Sequence, residues 1–355
     1  MMKSYDIVEW GRPLQAVLRE TPAPRGHEVL LAVDACGVCH SDLHIQSGKL
    51  DMGDGRQVSF DSLGLKLPFT LGHEIVGRVV AVGPEASIAV GARCVVFPWI
   101  GCGQCKRCTS GDELSCESNI ALGTRRAGGF SDHVLVPHER YLLDYGDVDP
   151  WVAATCACSG LTAFSALRKL PPLTADDALL LIGAGGLGLA ALHLAPALTR
   201  ARLVVADIDE AKLRYVHEST GVEVLNLRNP EAVRALRERL GEGVRGVLDF
   251  VGSPSTLETA LQAVGKGATV IVVGLFGGAT NLPIAALPSR NLTLRGSYVG
   301  SLAEMRELLD LVKRDSLLRV PLTSIPLDDI NQALDDLGAG RVQGRVVVIP
   351  TLPSD

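Results

Sequence analysis

The sequence of 355 residues contains no run of lysine and arginine residues, and its formal net charge is −6. Proteins that bind nucleic acid or an anionic membrane through charge carry a basic patch, which this acidic chain does not offer. The composition therefore predicts neither a nucleic-acid partner nor a charge-driven membrane contact. The hydrophobic fraction of 47% and the charged fraction of 21% are typical of a globular protein.

The sequence also lacks an apolar run at its start, where a secretory signal would stand; Asp6 and Glu9 are there instead. One uncharged stretch, residues 178–198, has the length of a membrane span, but four glycines, His193 and Pro196 interrupt it. A buried strand, a glycine-rich turn and a buried helix explain this stretch better. We therefore predict no membrane segment, and we expect a kink or an early helix end at Pro196.

The cysteines are nine, an odd number, and most of them are clustered. Paired disulfides are not expected in a chain of this size without a signal peptide. Thiolates that bind metal in a reducing compartment are the better interpretation, and they predict a cytoplasmic location. The sequence shows no internal repeat and no low-complexity tail.

The pattern of apolar residues predicts two domains, which the length allows. Up to about residue 145, alternating segments punctuated by glycine and proline predict a mostly β, barrel-like domain. From about residue 177, strand and helix patterns alternate, which predicts an α/β domain with a parallel, doubly wound sheet. Residues 302–313 have the apolar stripe of an amphipathic helix, and the chain ends on a strand pattern.

A glycine-rich motif, G-x-G-x-x-G, follows the apolar strand pattern "ALLLIG" and comprises Gly183, Gly185 and Gly188. Such glycines let the backbone turn tightly and approach a pyrophosphate at the N-terminus of the following helix. Asp207, at the end of the next strand, can accept hydrogen bonds from both ribose hydroxyls and would repel a 2′-phosphate. The motif therefore predicts NAD rather than NADP, while a flavin site, an S-adenosylmethionine site and a plain tight turn remain open.

Four cysteines, Cys102, Cys105, Cys108 and Cys116, lie close together in the sequence. The two-residue gaps let successive thiolates surround one tetrahedral ion, and four thiolates close its coordination shell. This pattern predicts a structural zinc, with an iron–sulfur cluster or unrelated thiols as the alternatives. Cys94 lies in an apolar run and is expected to pack rather than to bind metal.

A catalytic zinc needs three protein ligands and one open coordination position. Candidate ligands are His73 and one cysteine from each of two pairs, Cys36 or Cys39 and Cys156 or Cys158. The residues alone do not show which cysteine of each pair would bind the zinc.

Along nearly its whole length, the sequence resembles the zinc-dependent alcohol dehydrogenases of the medium-chain dehydrogenase/reductase family. The resemblance rests on motifs in the family's order: "GVCHSD", "GHE", the four-cysteine run, "CSGLT", the glycine motif with its acid, "GSYVG" and a terminal "GR". It implies a catalytic GroES-like domain over residues 1–159 and an NAD-binding Rossmann domain over residues 160–298. Residues 299–355 would return to the catalytic domain.

The resemblance assigns Cys39, His73 and Cys158 to a catalytic zinc, because "GVCHSD" and "CSGLT" match the family's ligand motifs. Cys36 is then a packed thiol, and Cys156 is a second candidate that makes the third ligand ambiguous. With the four-cysteine site, the resemblance implies two zinc ions per chain, one catalytic and one structural.

The resemblance also implies roles for groups around the catalytic metal. Ser41 would hydrogen-bond the alcohol, and His44 would pass its proton to water, although a surface histidine would look the same. Asp42 would orient His73, and Glu74 would lie behind the metal.

Residues dispersed along the chain are implied as cofactor contacts. His40 and Arg345 resemble residues that contact the pyrophosphate, and Lys212 can reach the adenosine ribose, as an exposed helix lysine also would. The implied contacts are Gly183, Gly185, Gly186, Leu187, Gly188, Asp207, Lys212, His40, Thr162, Val251, Val273 and Arg345.

Trp99 is implied as an apolar wall of the substrate pocket. Val251, Val273 and Tyr298 would border the nicotinamide, but ordinary core packing explains each of them equally well. The segment between Cys39 and His73 is longer than usual in the family, and we expect residues 47–67 to border the substrate cleft or an oligomer contact.

The implied reaction is oxidation of a small primary or secondary alcohol to an aldehyde or ketone, and its reverse. Hydride would move from an alkoxide at the zinc to the nicotinamide of NAD. The alternatives are a polyol or sugar dehydrogenase on the same scaffold and, from a different class, a zinc-binding module without catalysis. The resemblance further implies a homodimer or a homotetramer.

Overall fold

The computed structural model describes residues 1–315 and 317–350. Short strands dominate the first 145 residues, because segments rich in branched apolar residues alternate there with glycine and proline turns. The strands are β1 (Met2–Ile7), β2 (Gln15–Arg19), β3 (Val29–Gly37), β4 (Lys49–Gly53), β5 (Arg56–Ser59), β6 (Phe69–Thr70), β7 (Glu74–Val82), β8 (Arg93–Val96), β9 (His133–Val136), β10 (Leu142–Leu143), β11 (Ala178–Ile182), β12 (Arg202–Asp207), β13 (Glu223–Asn226), β14 (Val244–Asp249), β15 (Val264–Val272), β16 (Thr293–Gly296), β17 (Leu322–Pro326) and β18 (Arg345–Ile349).

Helices are short before residue 150 and longer after it. They are α1 (His40–Gln46), α2 (Lys106–Thr109), α3 (Pro150–Thr155), α4 (Leu161–Arg168), α5 (Gly186–Leu198), α6 (Glu210–Thr220), α7 (Ala232–Leu240), α8 (Pro254–Ala263), α9 (Ala286–Ser289), α10 (Leu302–Asp315) and α11 (Ile330–Gly338). A single π-helical turn, Cys156–Gly160, joins α3 to α4.

The first domain is built on a seven-stranded sheet with the order β10-β8-β7-β3-β18-β17, in which β9 also pairs with β3. The first strands form a separate sheet, β2-β1-β6, and β4 pairs only with β5 in a hairpin. Val348 of β18 lies opposite Cys36 of β3, so a strand from the end of the chain completes the first sheet. The exact domain bounds given above stay a prediction.

The second domain is a six-stranded sheet with the order β13-β12-β11-β14-β15-β16, and all its neighbouring strands are parallel. This order reverses direction beside β11, which is the arrangement of the Rossmann fold. Helices connect the strands, and the interior is lined by fully buried aliphatic side chains such as Leu179, Leu180 and Leu181. The predicted combination of a mostly β domain and a doubly wound parallel sheet is confirmed.

The uncharged stretch 178–198 is a strand, a glycine turn and a helix, as the sequence predicts. Helix α5 continues only two residues beyond Pro196 and ends at Leu198. Proline cannot donate a hydrogen bond to the carbonyl oxygen four residues earlier, so the loss falls in the last turn of the helix. By length and composition, Pro150–Arg168 could cross a membrane, but 83% of its most apolar window is buried inside the protein. It is a core helix of this fold.

Candidate active site and zinc centres

Three predicted ligands of the catalytic zinc meet at one buried point. Cys39 directly precedes α1, His73 directly precedes β7, and Cys158 lies in the π-helical turn. Their ligand atoms and a carboxylate oxygen of Glu74 all lie within 4.8 Å of one another. The sulfur atoms of Cys39 and Cys158 are 4.0 Å apart, which matches the roughly 3.8 Å between two thiolates on one tetrahedral zinc.

The imidazole of His73 shows that this cluster fits a metal. Its side chain is fully buried, yet neither ring nitrogen has a hydrogen-bond partner. Its Nδ1 lies 3.4 Å from Oδ1 of Asp42, outside hydrogen-bonding geometry. Buried imidazole nitrogens are almost always paired, and an ion supplies the missing partner at Nε2 or Nδ1.

The alternative cysteines lie outside this cluster. Burial raises the pKa of the Cys36 thiol well above its usual range and the pKa of Cys156 to about 12. Both are fully buried and neither joins the metal-binding group. The hydrogen bond with Cys39 and burial raise the pKa of Cys158 as well, so the positions of the sulfur atoms, and not the pKa values, favour Cys39 and Cys158 as the ligands.

Glu74 connects the cluster to β18, the last strand of the first domain's sheet. Its Oε1 accepts hydrogen bonds from the guanidinium of Arg345 and from the backbone N–H of Ser159, whereas its Oε2 is buried without a partner. Burial raises the pKa of Glu74 to about 7, and the charge of Arg345 acts in the opposite direction. The stem of Arg345 packs against Gly186, where any Cβ would overlap it.

Helix α1 carries the groups that could handle a proton. The hydroxyl oxygen of Ser41 lies 3.9 Å from the sulfur of Cys39, and partial burial lowers the pKa of His44, one turn further along. The carboxylate of Asp42 accepts hydrogen bonds from the backbone N–H groups of Cys39 and Gly72, at 2.8 and 3.4 Å. Asp42 therefore fixes the start of α1 against the loop that carries the histidine ligand.

An aromatic pair borders the cluster on one side. The indole N–H of Trp99 donates to the carbonyl oxygen of Ala157 at 2.9 Å, and its ring centroid lies 5.3 Å from that of His73. Tyr298 meets Trp99 edge to face at 5.7 Å and is itself 55% exposed. An apolar wall that leads from solvent to a polar cluster suits a small organic substrate.

The four-cysteine run forms a second cluster, well separated in sequence. Sulfur atoms are 3.5 Å apart for Cys105 and Cys108, and 3.9 Å apart for Cys102 and Cys108 and for Cys105 and Cys116. Backbone N–H groups of Cys102 and Cys105 point at sulfur atoms of the cluster at 3.4 Å. Four sulfurs at these separations, with N–H donors that stabilise thiolates, fit a closed tetrahedral zinc site.

The glycine motif forms the turn between β11 and α5. A Cβ on Gly188 would overlap the carbonyl oxygen of Gly183, whereas a Cβ on Gly185 would meet no atom within 4 Å. Gly188 is therefore required by packing, while Gly185 faces open space at the positive end of α5, where an anionic group can approach the backbone.

Beside this turn lies a pocket that contains most of the predicted adenosine contacts. The carboxylate of Asp207 is held in it by backbone N–H groups of Ala184, Ile208 and Asp209, at 2.7 to 2.9 Å. Gly183, Lys212 and Val251 also line the pocket. An oriented carboxylate with free acceptor capacity suits the two hydroxyls of a ribose.

Basic side chains lie around His40, the first residue of α1. Partial burial lowers the pKa of His40, and the sulfur of Cys39 acts in the opposite direction. The positive charges of Arg345 and Lys212 lower the pKa further. Of these groups, Arg345 packs against Gly186 at the start of α5, where a positive side chain suits a pyrophosphate.

Known proteins share both halves of this arrangement. The family model for the alcohol dehydrogenase GroES-like domain matches residues 25–145, and that for zinc-binding dehydrogenase matches residues 186–314. The chain belongs to the zinc-dependent alcohol dehydrogenases. It uses zinc and NAD, as the two thiol clusters and the dinucleotide pocket suggest.

Similar proteins cover nearly the whole of this alcohol dehydrogenase. An NAD-dependent alcohol dehydrogenase of Sulfurisphaera tokodaii is 33% identical over 98% of this chain and 100% of its own length. A D-arabinose 1-dehydrogenase (NADP+) of Saccharolobus solfataricus is 29% identical over 98% of this chain and 97% of its own. The crystal structure of the alcohol dehydrogenase from Aeropyrum pernix has a TM-score of 0.87 and 30% identity, and the match covers 98% and 100% of the two chains.

Sequence reasoning missed several residues of this dehydrogenase's pocket. Arg214, Arg228 and Phe276 line the adenosine pocket, and Nε of Arg228 donates to the carbonyl oxygen of Ile208 at 2.7 Å. Only the parallel strand order brings these residues to Asp207, and no motif marks them. The roles assigned to Thr162 and Val273, both buried side chains, stay predictions.

Proposed function

We propose that this enzyme oxidises a small primary or secondary alcohol to an aldehyde or ketone with NAD, and catalyses the reverse reduction. The observation that carries the proposal is the buried cluster of two cysteines and one unpartnered histidine, together with Arg345, which binds Glu74 of this cluster and packs against Gly186 of the glycine turn. When bound, the zinc supplies a Lewis acid for the alcohol oxygen, and the nicotinamide supplies the hydride acceptor.

In this proposal, Cys39, His73 and Cys158 hold the catalytic zinc. Two thiolates and a neutral imidazole balance the charge of the ion, so the site binds an uncharged alcohol without an excess of charge. Asp42 orients the loop that carries His73, and Glu74 stays behind the cluster, fixed by Arg345. Cys102, Cys105, Cys108 and Cys116 hold the structural zinc.

The proton of the alcohol leaves along helix α1. Ser41 lies beside Cys39 and accepts the proton's hydrogen bond, and His44, which is neutral near pH 7 because burial lowers its pKa, takes the proton toward solvent. Trp99 and Tyr298 shield the reacting carbon from water on the apolar side.

The cofactor is held by the α/β domain. Asp207 accepts the ribose hydroxyls, and Lys212 lies on the same side of the pocket. The backbone from Gly183 to Gly188, including Gly186 and Leu187, cradles the pyrophosphate together with His40 and Arg345. Val251, Thr162 and Val273 lie on the route to the nicotinamide.

A panel assay tests this function. Absorbance of NADH at its characteristic wavelength is followed with primary, secondary, cyclic and aromatic alcohols, and zinc is measured by elemental analysis. We expect NAD-dependent turnover with at least one simple alcohol and two zinc ions per chain. Protein that contains two zincs and binds NADH but oxidises none of these alcohols would contradict the proposed substrate class.

A sugar dehydrogenase is the second candidate, and one observation favours it. The D-arabinose 1-dehydrogenase named above uses NADP, and here Arg214 and Arg228 line the pocket beside the ribose position of Asp207. Turnover of an aldose with NADP, faster than that of simple alcohols with NAD, would select this function. The oriented carboxylate of Asp207 argues for the first candidate, because it would repel a 2′-phosphate.

We also propose a cytoplasmic homodimer or homotetramer. All nine cysteines are free thiols in the structure, and both clusters need reduced sulfur. Light scattering of the purified enzyme tests the assembly, and a monomer at micromolar concentration would contradict it.

A further inference from the structure

The segment 47–67, which the sequence marks as unusually long, forms a hairpin rather than a loose loop. Its strands β4 and β5 pair antiparallel from Lys49 and Ser59 to Gly53 and Arg56. The hairpin starts three residues after Gln46, the last residue of α1. It is thus directly continuous with the helix that carries Ser41 and His44.

The tip of this hairpin touches the other domain. Gly53 is buried, although Met52 and Asp54 on either side of it are exposed. A Cβ on Gly53 would lie 2.6 Å from the carbonyl oxygen of Gly278 and 2.8 Å from the Cβ of Ala279. Such distances are below van der Waals contact, so only glycine permits this approach.

The contact is equally close when it is measured from the other domain. A Cβ on Gly277 would lie 2.8 Å from the carbonyl oxygen of Asp51. The side chain of Asp51 shapes the tip, because its Oδ1 accepts a hydrogen bond from the backbone N–H of Gly53 at 2.8 Å. Two backbone segments from different domains therefore pack directly on each other, without intervening side chains.

The opposite side of the same segment belongs to the nucleotide pocket. Phe276 and Pro254 both line that pocket, and a Cβ on Gly278 would lie 2.8 Å from Cγ of Pro254. The N–H of Phe276 donates to the carbonyl oxygen of Val251, another pocket residue, at 3.1 Å. The segment 276–279 is thus a thin wall with the cofactor pocket on one face and the hairpin tip on the other.

We propose that the tip of the 49–59 hairpin is a latch between the two domains, which holds the segment 276–279 against the nucleotide pocket and slows release of NADH. A wall one segment thick has few contacts of its own, and a rigid hairpin behind it removes its freedom to swing outward. Release of a bound product often limits the turnover of such enzymes. The proposal rests on the proposed function only in taking this pocket as the NAD site.

A pair of alanine variants within the hairpin tests the latch. Gly53 and Gly55 both have positive φ, 85° and 73°, so alanine strains the backbone at both positions, but only Gly53 has a neighbour within 4 Å. We expect Gly53→Ala to release NADH about fivefold faster in stopped-flow fluorescence, and Gly55→Ala to stay within about twofold of the wild type. Zinc content should stay at two per chain in both variants.

Hydrogen exchange and a second variant keep the test decisive. Backbone amides of residues 275–281 should exchange faster in Gly53→Ala than in Gly55→Ala. If Gly53→Ala does not fold, Asp51→Ala, which removes the hydrogen bond to Gly53, carries the same expectation. Wild-type protein that binds NADH, together with unchanged release and exchange in the tip variants, would overturn the latch and leave the proposed function intact. A wild type that binds no NADH would overturn the proposed function itself.

Discussion

At the scale of single residues, the molecule separates metal-binding thiols from packed thiols by their surroundings. The sulfur of Cys158 lies 4.0 Å from that of Cys39 and joins the metal-binding group, whereas Cys156, two residues earlier, is not a member of that group. Both thiols are buried. The pKa of both is raised, for Cys156 by burial and for Cys158 by the hydrogen bond with Cys39 and by burial, so position alone separates them. The identity of a zinc ligand therefore depends on backbone direction, which composition and spacing do not reveal.

Replacement of each of these two cysteines by alanine gives the first prediction. Cys158→Ala should reduce zinc from two ions to one per chain and lower alcohol oxidation by at least about 100-fold, because the Lewis acid is lost. Cys156→Ala should keep both ions and cost about 1 kcal/mol of unfolding free energy for the small cavity. Elemental analysis and steady-state rates check both; loss of one zinc from Cys156→Ala instead would reverse the assignment.

The imidazole of His44 gives the second prediction, which concerns pH. Because burial lowers its pKa, the ring is neutral and able to accept a proton above that lowered value and is charged below it. The rate of alcohol oxidation should therefore rise with pH through this value in the wild type. His44→Gln should lower kcat by about 100-fold near pH 7 and remove that rise. An unchanged pH profile in the variant would mean that the proton leaves by another route.

At the scale of elements, the glycine turn could be predicted from the sequence, whereas the 49–59 hairpin and helix α1 could not. The turn could be predicted because each glycine has a physical reason that its motif encodes. The packing of the 49–59 hairpin could not be predicted, since its tip contacts a segment more than 200 residues later in the chain. Helix α1 was also missed, because it is only seven residues long and its sequence reads as a ligand motif.

The two kinds of glycine in the turn give the third prediction. Gly185→Ala should melt within about 2 °C of the wild type, because its Cβ meets nothing, but should weaken NADH binding by about tenfold, because that space receives the pyrophosphate. Gly188→Ala should lower both the melting temperature and the affinity for NADH, since its Cβ would overlap the carbonyl oxygen of Gly183. Thermal melts and fluorescence titrations separate the two, and equal NADH affinity in Gly185→Ala would place the cofactor elsewhere.

The four-cysteine loop gives the fourth prediction. Cys108→Ser should remove one zinc and lower the melting temperature by roughly 5 to 10 °C, because the loop 101–116 loses the ion that folds it. Activity per remaining folded molecule should stay within about threefold, since this cluster does not touch the substrate. Cys94→Ala, a buried cysteine outside both clusters, is the control and should keep two zincs. Complete loss of activity at full folding in Cys108→Ser would contradict a purely structural role.

At the scale of the whole molecule, the sequence predicts the two-domain architecture well. The strand patterns of residues 178–182, 202–207 and 244–249 become parallel neighbours, because buried apolar strands separated by helices can pair in few other ways. Where the domains meet was harder to predict. Arg345 contacts Glu74 and Gly186, and these contacts join residues far apart in the chain. Interdomain contacts of this kind carry no local periodicity, so pattern reasoning does not find them.

The π-helical turn between α3 and α4 has a consequence for engineering this enzyme. A π-helical turn holds one residue more than an α-helical turn, and here that turn contains Cys158. Because the wider turn absorbs that extra residue, removal of Ala157 would return the segment to α-helical spacing and leave α3 and α4 with their present faces. Only the residues inside the turn would be displaced, so one sulfur would leave the metal while the flanking helices kept their seats. The additional residue thus sets the metal ligand without disturbing the core that surrounds it.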